Sequence, residues 1–250
     1  MFGQENFINK KILIYGLGKS GFSSFAFLKR KNKVYLFDDN INIKINADLK
    51  KNLISISQIN KHIFDTIILS PGISLRKSNK KKQLNKNQRK IITDIDLFFL
   101  TNKIFKSVVV TGTNGKSTTC SIVKKVLSDS GYNAIAVGNI GKPILNYNIG
   151  KKKNVVIVIE MSSFQLEYSK FVRPNHAILT NITRDHLDWH GSMKNYINSK
   201  FKIFLLQNKK DFAYLPQNKK IIKIFKKNNM QANIILNKGR IQNFIKKNIS

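Results

Sequence analysis

The sequence predicts an α/β fold with two parallel-sheet domains, a Rossmann-like domain followed by a P-loop-type α/β ATPase domain. Two glycine-rich turns support this prediction, GLGKSG at 16–21 and GTNGKST at 112–118. Each turn follows a short apolar run and precedes a helical stretch, which is the strand–loop–helix layout that holds phosphate groups. Along the chain, β-type runs alternate with helical segments, and this alternation is typical of a parallel sheet covered by helices.

The first turn lies between two β-type runs. KILIY at 11–15 leads into the glycines, the helical stretch FSSFAFLKR follows, and KVYLF at 33–37 ends at Asp38 and Asp39. An acidic residue about 20 positions after the glycines fits a ribose hydroxyl in a dinucleotide site. The signal is weak, because any doubly wound domain that holds a nucleotide diphosphate needs the same turn.

A third β-type run, 66–69, continues directly into the turn SPGI at 70–73. This turn either faces the same crevice as the glycines or is an ordinary Pro-Gly turn. After a lysine-rich polar stretch, IITDIDLFFL at 91–100 indicates a short strand that enters a helix. We therefore predict two domains, residues 1–93 and residues 94–250.

The second turn belongs to VVVTGTNGKSTT at 108–119, which CSIVKKVLSDSG continues as a helix. Glycines let backbone N–H groups approach phosphates, and the N-terminus of the helix adds a favourable field. Lys116 supplies a charge for the β- and γ-phosphates, and the Ser117 hydroxyl can bind Mg²⁺. The loop is shorter than the general phosphate-loop pattern, because Val110 stands where its first glycine would be. We expect this segment to bind ATP.

Two more candidate residues follow β-type runs in the second half of the chain. Glu160 ends the apolar run NVVIVIE, where a carboxylate near a phosphate loop can hold Mg²⁺. His186 lies just past the run HAILT, on the same predicted rim. An isolated histidine is more often structural than a ligand, but this location favours a functional role. The other histidines lack this context and are expected to be structural or surface residues: His62, His176 and His190.

Composition by itself does not indicate a nucleic-acid site. The chain has 45 Lys and Arg against 13 Asp and Glu, a net charge of +32, but lysine is spread through every region. Lysine, asparagine and isoleucine are abundant together, which indicates a compositional bias of the source genome. The runs Lys80–Lys82, Lys151–Lys153 and Lys226–Lys227 are therefore expected to be solvated surface with nonspecific affinity for polyanions.

The sequence has no long apolar segment, so we expect neither a signal peptide nor a membrane span. Cys120 is the only cysteine and cannot form an internal disulfide, so we expect a small buried side chain in a reducing compartment. These observations favour a soluble cytoplasmic protein of one large or two modest domains.

Several motifs, in their order and spacing, resemble those of the Mur ligases: GTNGKST, GNIG, E-M-SSFQLE and N-x-T-x-DH-x-D. The string SSFQLE resembles the members that add D-glutamate, because the members that add a diamino acid have an SSH-type sequence there. The resemblance extends from Lys11 to about Leu206. It implies that the first glycine turn holds the uridine diphosphate of a sugar substrate rather than NAD.

In the reaction that the resemblance implies, ATP phosphorylates the terminal carboxylate of UDP-N-acetylmuramoyl-L-alanine, and the amine of D-glutamate attacks the acyl phosphate. The implied catalytic residues are Lys116, His186 and Lys200. One Mg²⁺ would bind Ser117 and Glu160, and a second would bind Glu160, His186 and Lys200 carbamylated by CO₂. The implied ATP-binding residues are Gly112, Thr113, Asn114, Gly115, Lys116, Ser117 and Thr118. The implied substrate-binding residues are Gly16, Gly18, Lys19, Ser20, Asp38, Ser70, Pro71, Gly72, Asn139 and Ser162, with Asp39 as an alternative to Asp38.

The sequence departs from the family pattern in two respects. Arg184 stands where an acidic residue is common, which changes the charge beside His186. The tail from Gln207 lacks the motifs of the family's third domain, so we expect that this C-terminal domain is absent and that the chain is catalytically incomplete. Separately, we expect a monomer without a specific nucleic-acid or membrane partner. Three alternatives stay open: a nucleotide-binding fragment without turnover, an NAD-dependent oxidoreductase and a nucleic-acid binder.

Overall fold

The structure is a computed structural model that describes residues 7–40, 42–43, 45–76, 84, 87–102, 105–139, 141–147, 149 and 154–237. Contacts within the chain divide it into two compact units. Unit 1 comprises Met1–Lys103, Pro143–Tyr147 and Tyr168–Lys170, and unit 2 comprises Ile104–Lys142, Asn148–Glu167 and Phe171–Ser250. No helix in the described part of the chain combines the length and the apolar composition needed to cross a membrane.

Unit 1 is built on a four-stranded parallel sheet. Its strands are β1 (Lys11–Tyr15), β2 (Lys33–Phe37), β3 (Thr66–Leu69) and β4 (Ile91–Ile92). Their order across the sheet is β2-β1-β3-β4. The helices in the described part of unit 1 are α1 (Lys19–Leu28), α2 (Ala47–Lys50), α3 (Ile56–Lys61) and α4 (Asp94–Thr101).

The central strand β1 explains why the run KILIY is apolar without alternation. All its side chains from Ile12 to Tyr15 are fully buried, although successive side chains of a strand point to opposite faces. A parallel sheet covered on both faces requires this pattern. Each such aliphatic side chain stabilises the fold by about 1.5–3 kcal/mol relative to an exposed position.

Unit 2 is built on a six-stranded parallel sheet. Its strands are β5 (Lys106–Thr111), β6 (Asn133–Gly138), β7 (Val155–Glu160), β8 (His176–Leu179), β9 (Phe212–Pro216) and β10 (Asn233–Asn237). Their order is β10-β9-β8-β5-β7-β6, which places β5 between β7 and β8. The helices that follow in the chain are α5 (Lys116–Asp129), α6 (Ser163–Tyr168), α7 (Leu187–His190), α8 (Met193–Phe201) and α9 (Lys219–Lys227).

The core of unit 2 forms where α5 packs on β5 and its neighbours. Val108 and Val110 of β5 are buried against Cys120, Val123 and Leu127 of α5. The predicted buried position of Cys120 is confirmed. Burial raises the pKa of this thiol to about 12, and the negative charge of Glu160 contributes to the rise. The thiol is therefore a protonated core side chain.

The predicted α/β fold with two parallel sheets is confirmed, but the elements after Gln207 were not predicted. Strands β9 and β10 extend the parallel sheet of unit 2, and helix α9 lies between them in the chain. In α9, Ile221 and Phe225 are buried one helical turn apart, and the flanking Lys226 and Lys227 are exposed. The other two basic runs, Lys80–Lys82 and Lys151–Lys153, lie outside the described residues.

Helix α4 begins at a capping box. The Asp96 N–H donates to the Thr93 hydroxyl at 3.1 Å, and the Thr93 N–H donates to the Asp96 carboxylate at 3.0 Å. The position 93/94, where the sequence analysis divides the chain, lies at this cap, and α4 is part of unit 1.

Asp94, the first residue of α4, carries a buried carboxyl group. It is 3% exposed, and its oxygens accept a hydrogen bond from the Ile95 N–H at 3.0 Å and one from the Ser20 side chain. Burial raises the pKa of Asp94 to about 6, although both hydrogen bonds act in the opposite direction. Desolvation of the carboxylate therefore raises the pKa of Asp94 by more than its hydrogen bonds lower it.

The first glycine turn depends on a close approach between α1 and the end of β1. A Cβ at Gly21 would lie 2.0 Å from the carbonyl oxygen of Gly16, whereas a Cβ at Gly18 would meet nothing within 4 Å. Gly21 therefore lets the helix pack on the turn, as expected for the third glycine of this motif.

We predict that the Asp94 carboxyl makes the stability of unit 1 depend on pH. Its pKa of about 6 exceeds the ordinary value of 3.8, so between these values the folded state holds a proton that the unfolded state has released. The free energy of unfolding should therefore fall as pH rises through this window, by about 3 kcal/mol at most. Urea unfolding of wild type and Asp94→Asn from pH 4 to 7 measures the effect. A difference between the two proteins that stays constant with pH would contradict the prediction.

We also predict that Gly21→Ala destabilises unit 1, whereas Gly18→Ala has little effect. The new methyl group at position 21 would overlap a backbone oxygen that cannot rotate away. A cost of about 2–4 kcal/mol is expected for forcing these elements apart. Urea unfolding of both variants provides the measurement, and equal stabilities would show that the close approach does not hold.

Candidate functional site

The phosphate-loop segment connects β5 to α5, as the sequence predicts. Gly115 caps the helix with a φ of 79°, a left-handed conformation that favours glycine. Lys116, Ser117 and Thr118 form the first turn of the helix, and Ser117 and Thr118 are exposed. First-turn N–H groups have no partner within their own helix and attract anions. The start of α5 therefore offers a surface suited to phosphate.

Residues that follow β8 hold the loop from its other side. The Asn181 carbonyl accepts from the Thr113 N–H at 3.0 Å, and its side-chain oxygen accepts from the Asn114 N–H at 2.9 Å. The Thr180 hydroxyl donates to the Asn114 carbonyl at 2.7 Å. A Cβ at Gly112 would lie 1.9 Å from the Thr180 hydroxyl oxygen, so this position requires glycine. No role was predicted for Thr180 or Asn181 from the sequence.

Two lysine ammonium groups converge on one loop carbonyl. The Gly112 oxygen accepts from Lys116 Nζ at 3.1 Å and from Lys200 Nζ at 2.7 Å. Lys116 also donates to the Thr113 carbonyl at 2.7 Å. Lys200 is 2% exposed, although most lysines of a chain this basic are expected at the surface. Burial, and then repulsion by Lys116, lower the pKa of Lys200 to about 7.

Tyr196 lies one helical turn before Lys200 on α8 and is completely buried. Its hydroxyl is 2.9 Å from Thr113 Oγ1, and the Lys200 ammonium lies over its ring at 4.6 Å from the centroid. Burial raises the pKa of the Tyr196 phenol. Tyr196 was not among the predicted site residues, although its spacing from Lys200 places both side chains on one face of a helix.

Glu160 ends β7 in a buried environment. It is 1% exposed, and its Oε1 accepts from the Asn139 side-chain amide at 3.0 Å. Its other oxygen, Oε2, is buried and has no hydrogen-bond partner among the described residues. A buried carboxylate oxygen without a partner is costly unless a cation or another donor compensates it. Asn139, a predicted substrate contact, thus orients the carboxylate, and Ile140 of the same motif lies outside the described residues.

His186 is more exposed than the candidate metal ligands Glu160 and Lys200. It has a φ of 50°, its Nε2 lies 3.2 Å from Asp185 Oδ2, and its side chain is 45% exposed. The Phe164 ring packs against it at 4.7 Å between centroids. The neighbouring Arg184 is exposed, and Asp185 is close enough to affect the pKa of Lys200. His186 is therefore open to a ligand from solvent.

The predicted metal ligands do not include three side chains that would bind an ion by themselves. Among the described residues, no group of three or more His, Cys, Asp or Glu side chains could hold a metal. The charges of Glu160 and Lys116 both affect the pKa of Cys120, so these two candidate residues lie near the same buried side chain. A magnesium ion commonly takes one or two carboxylates together with waters and substrate phosphates, so it does not need such a cluster.

The string SSFQ forms the start of α6. The Gln165 side-chain oxygen accepts from the Ser162 N–H at 2.9 Å, and the Ser162 hydroxyl accepts from the Gln165 N–H at 3.3 Å. This reciprocal pair is a capping box. The next residue, Ser163, pairs through its hydroxyl with His190 Nε2 at 2.9 Å. Ser162, a predicted substrate contact, is therefore fixed by the local helix cap.

The predicted uridine site lies in unit 1, around the first glycine turn. The Asp38 carboxylate accepts from the Leu17 N–H at 2.6 Å, and the Ser70 hydroxyl donates to the Gly16 carbonyl at 2.6 Å. Asp39 accepts from the Tyr15 hydroxyl at 2.5 Å. The other predicted positions are accessible to different degrees: Gly18, Lys19 and Gly72 are exposed, and Ser20 and Pro71 are half-buried. The structure thus brings the two turns and Asp38 together.

The remaining histidines have structural contacts, as expected. His176 Nδ1 pairs with the Tyr214 hydroxyl at 2.8 Å, and burial lowers the pKa of His176 to about 4. His190 is fully buried against Ser163, and His62 packs on the rings of Tyr35 and Phe64.

Two protein-family models match the chain. The Mur ligase middle domain matches residues 110–249, and the MurD-like N-terminal domain of Mur ligases matches residues 10–92. The middle-domain match covers more than half of the chain, which contains 250 residues.

Similar sequences include three proteins named UDP-N-acetylmuramoylalanine–D-glutamate ligase. The protein of Rickettsia prowazekii is 40% identical over 212 residues, covering 82% of this chain and 46% of that protein. The protein of Wolbachia pipientis wMel is 37% identical over 200 residues, covering 78% and 39%. The protein of Elusimicrobium minutum is 36% identical over 225 residues, covering 86% and 50%. The chain thus spans about half the length of the relatives it matches.

A solved structure supports the fold. The UDP-N-acetylmuramate:L-alanyl-gamma-D-glutamyl-meso-diaminopimelate ligase of Neisseria meningitides matches with a TM-score of 0.53 and 16% identity, covering 91% of this chain and 78% of that chain. At this identity the likeness concerns the fold alone. With both family models matched in order along the sequence, the chain belongs to the Mur ligase family, with a MurD-like N-terminal domain followed by the Mur ligase middle domain.

Proposed function

We propose that this chain supplies the nucleotide-binding and reacting parts of an ATP-dependent ligase that adds D-glutamate to UDP-N-acetylmuramoyl-L-alanine. The observation that carries the proposal is the convergence of Lys116 and buried Lys200 on the Gly112 carbonyl, inside a phosphate loop. A buried lysine at a phosphate loop costs desolvation energy, which a role in binding or catalysis would offset. The similarity to relatives named for this reaction supports the choice of substrates.

In this proposal the two domains, residues 1–93 and 94–250, bind different nucleotides. The glycine turn, Asp38 and Ser70 of the first domain would hold the uridine diphosphate portion of the sugar substrate. Asp38 already accepts a hydrogen bond from Leu17, so its carboxylate can orient the turn as well as contact the ligand. In the second domain the loop from Gly112 to Thr118 would hold ATP, with Lys116 near the β- and γ-phosphates.

Two observations support the magnesium sites that the family implies. Glu160 has a buried oxygen without a hydrogen-bond partner among the described residues, and the Ser117 hydroxyl is exposed at the helix start. Ser117 and Glu160 would hold one ion, and Glu160, His186 and carbamylated Lys200 would hold the other. When bound, magnesium supplies charge neutralisation between the γ-phosphate and the attacking carboxylate.

Lys200 has the properties that carbamylation requires. With a pKa of about 7, a large fraction of its side chain is the neutral amine at neutral pH, and only this form attacks CO₂. The C–N bond forms, the amine loses a proton, and the product is an anionic carbamate. This reaction replaces a buried cation by an oxygen ligand of the type that Mg²⁺ prefers.

The chain's own residues then act in two steps. Lys116 and the loop N–H groups would hold the γ-phosphate while the carboxylate of the substrate attacks it and ADP leaves. The amine of D-glutamate would next attack the acyl carbon, forming the amide and releasing phosphate and a proton. Asn139 and Ser162 would position the reacting carboxylate, since both are fixed next to the end of β7. Preorganised donors of this kind act mainly on the charge that develops during transfer.

A phosphate-release assay tests the function. ATP, UDP-N-acetylmuramoyl-L-alanine and D-glutamate would be supplied to the chain, with and without the C-terminal domain of a D-glutamate-adding relative in trans. We expect phosphate release that requires all three substrates. Binding of ATP and UDP without any release, in both conditions, would identify a nucleotide-binding protein without turnover.

We predict that Lys116→Ala lowers the affinity for ATP by about 100-fold, because it removes the positive charge that would pair with the β- and γ-phosphates. Calorimetry with ATP and Mg²⁺ measures the affinity, and circular dichroism checks the fold. Lys124→Ala is the control, since Lys124 is exposed on the same helix. Unchanged affinity in a folded Lys116→Ala protein would remove the central role of the loop.

We predict that Lys200→Ala loses ligase activity and that acetate partly restores it, because acetate can supply the missing oxygen ligand. Glu160→Ala and His186→Ala should also be impaired, but acetate should not restore His186→Ala, because a carboxylate does not replace an imidazole nitrogen. Lys202→Ala is the control, because the Lys202 ammonium donates to the Glu167 carbonyl rather than to the loop. Full activity of Lys200→Ala in the reconstituted assay would refute the assignment of the second ion.

A further inference from the structure

Tyr196 connects the segments that carry the candidate site of unit 2. Its side chain has no exposed surface, yet it ends in a polar hydroxyl, which must find a partner when buried. That partner is Thr113 Oγ1, at 2.9 Å, in the phosphate loop. Its ring contacts the Lys200 ammonium and lies 6.3 Å from the His186 ring in an edge-on arrangement.

Side chains on one face of helix α8 form hydrogen bonds with two consecutive residues of the phosphate loop. Tyr196 and Lys200 are four residues apart, so their side chains project from the same side of the helix. Lys200 donates to the carbonyl of Gly112, and Tyr196 pairs with the side chain of Thr113. Both attachments come from a helix whose N-terminus is fixed by the Ser192 cap.

The Thr113 hydroxyl is the centre of a small network. It accepts from the Thr183 N–H at 3.0 Å and lies 3.3 Å from the Thr183 carbonyl, in addition to its pairing with Tyr196. The network therefore ties the loop to α8 and to the segment that leads to His186. If Tyr196 lost its hydroxyl, the hydrogen bonds left to the Thr113 hydroxyl among the described residues would be those with Thr183.

We propose that Tyr196 is a positioning residue that fixes the phosphate loop in the conformation that receives the nucleotide. This inference rests on the proposed ATP-binding function and adds a residue to it that contacts no phosphate itself. A loop that is already held in its binding conformation does not have to be ordered when the nucleotide binds. The loss of one hydrogen bond that holds the loop should therefore lower its affinity for the nucleotide.

Tyr196→Phe tests the proposal, because it removes only the hydroxyl and keeps the ring against Lys200. We expect about 5- to 10-fold weaker ADP and ATP binding by calorimetry in the presence of Mg²⁺, the size of one lost hydrogen bond. Tyr214→Phe is the matched control. It removes the hydroxyl of another buried tyrosine of unit 2, which pairs with His176 at 2.8 Å and contacts no loop residue in the bonds described.

The melting temperature separates positioning from general stability. Both variants should melt a few degrees below wild type, as expected for one lost hydrogen bond in a domain of this size, while only Tyr196→Phe should lose nucleotide affinity. Equal nucleotide affinity of Tyr196→Phe and Tyr214→Phe would overturn the proposal. If Tyr196→Phe does not fold, Thr113→Val removes the same pairing from a half-exposed position, and wild-type affinity of that variant would overturn the proposal instead.

The wild-type protein distinguishes this inference from the proposed function. A wild-type chain that binds neither ADP nor ATP contradicts the proposed function itself. A wild-type chain that binds them, together with a Tyr196→Phe variant that binds equally well, contradicts only the role of Tyr196.

Discussion

The carbonyl oxygen of Gly112 accepts hydrogen bonds from two lysines, and the arrangement of the candidate site of unit 2 depends on this contact. Two ammonium groups on one oxygen repel each other, and burial adds a desolvation cost. The result is a Lys200 whose pKa is lowered to about 7. The fold holds Lys200 in this position because three elements meet at the contact. Gly112 directly follows β5, Lys116 begins α5 and Lys200 lies on α8.

Much of the fold was predictable because its cause is local. Runs such as KILIY and NVVIVIE become buried parallel strands, and the two glycine turns begin helices where the pattern requires. The strands β9 and β10 were missed because lysine and asparagine surround their short apolar cores. The helix α9 between them was readable from the spacing of Ile221 and Phe225.

The candidate site was predictable only in part, because many of its contacts join residues that are distant in sequence. Lys116 and Ser117 follow from a motif, and Glu160 and His186 follow from their places after strands. Nothing local indicates that Lys200 is buried, or that Asn181 and Tyr196 would pair with the loop. In unit 1, Asp38 was expected to contact a ligand, and its bond to Leu17 adds a role in shaping the turn.

The proposal of two separate nucleotide sites is tested most directly by measuring whether two different nucleotides bind to one chain at the same time. Native mass spectrometry of the chain with UDP, ADP and Mg²⁺ measures how many of each bind. We expect one UDP and one ADP on the same molecule, with UDP retained when NAD is added in excess. A single shared nucleotide per chain, or displacement of UDP by NAD, would contradict it.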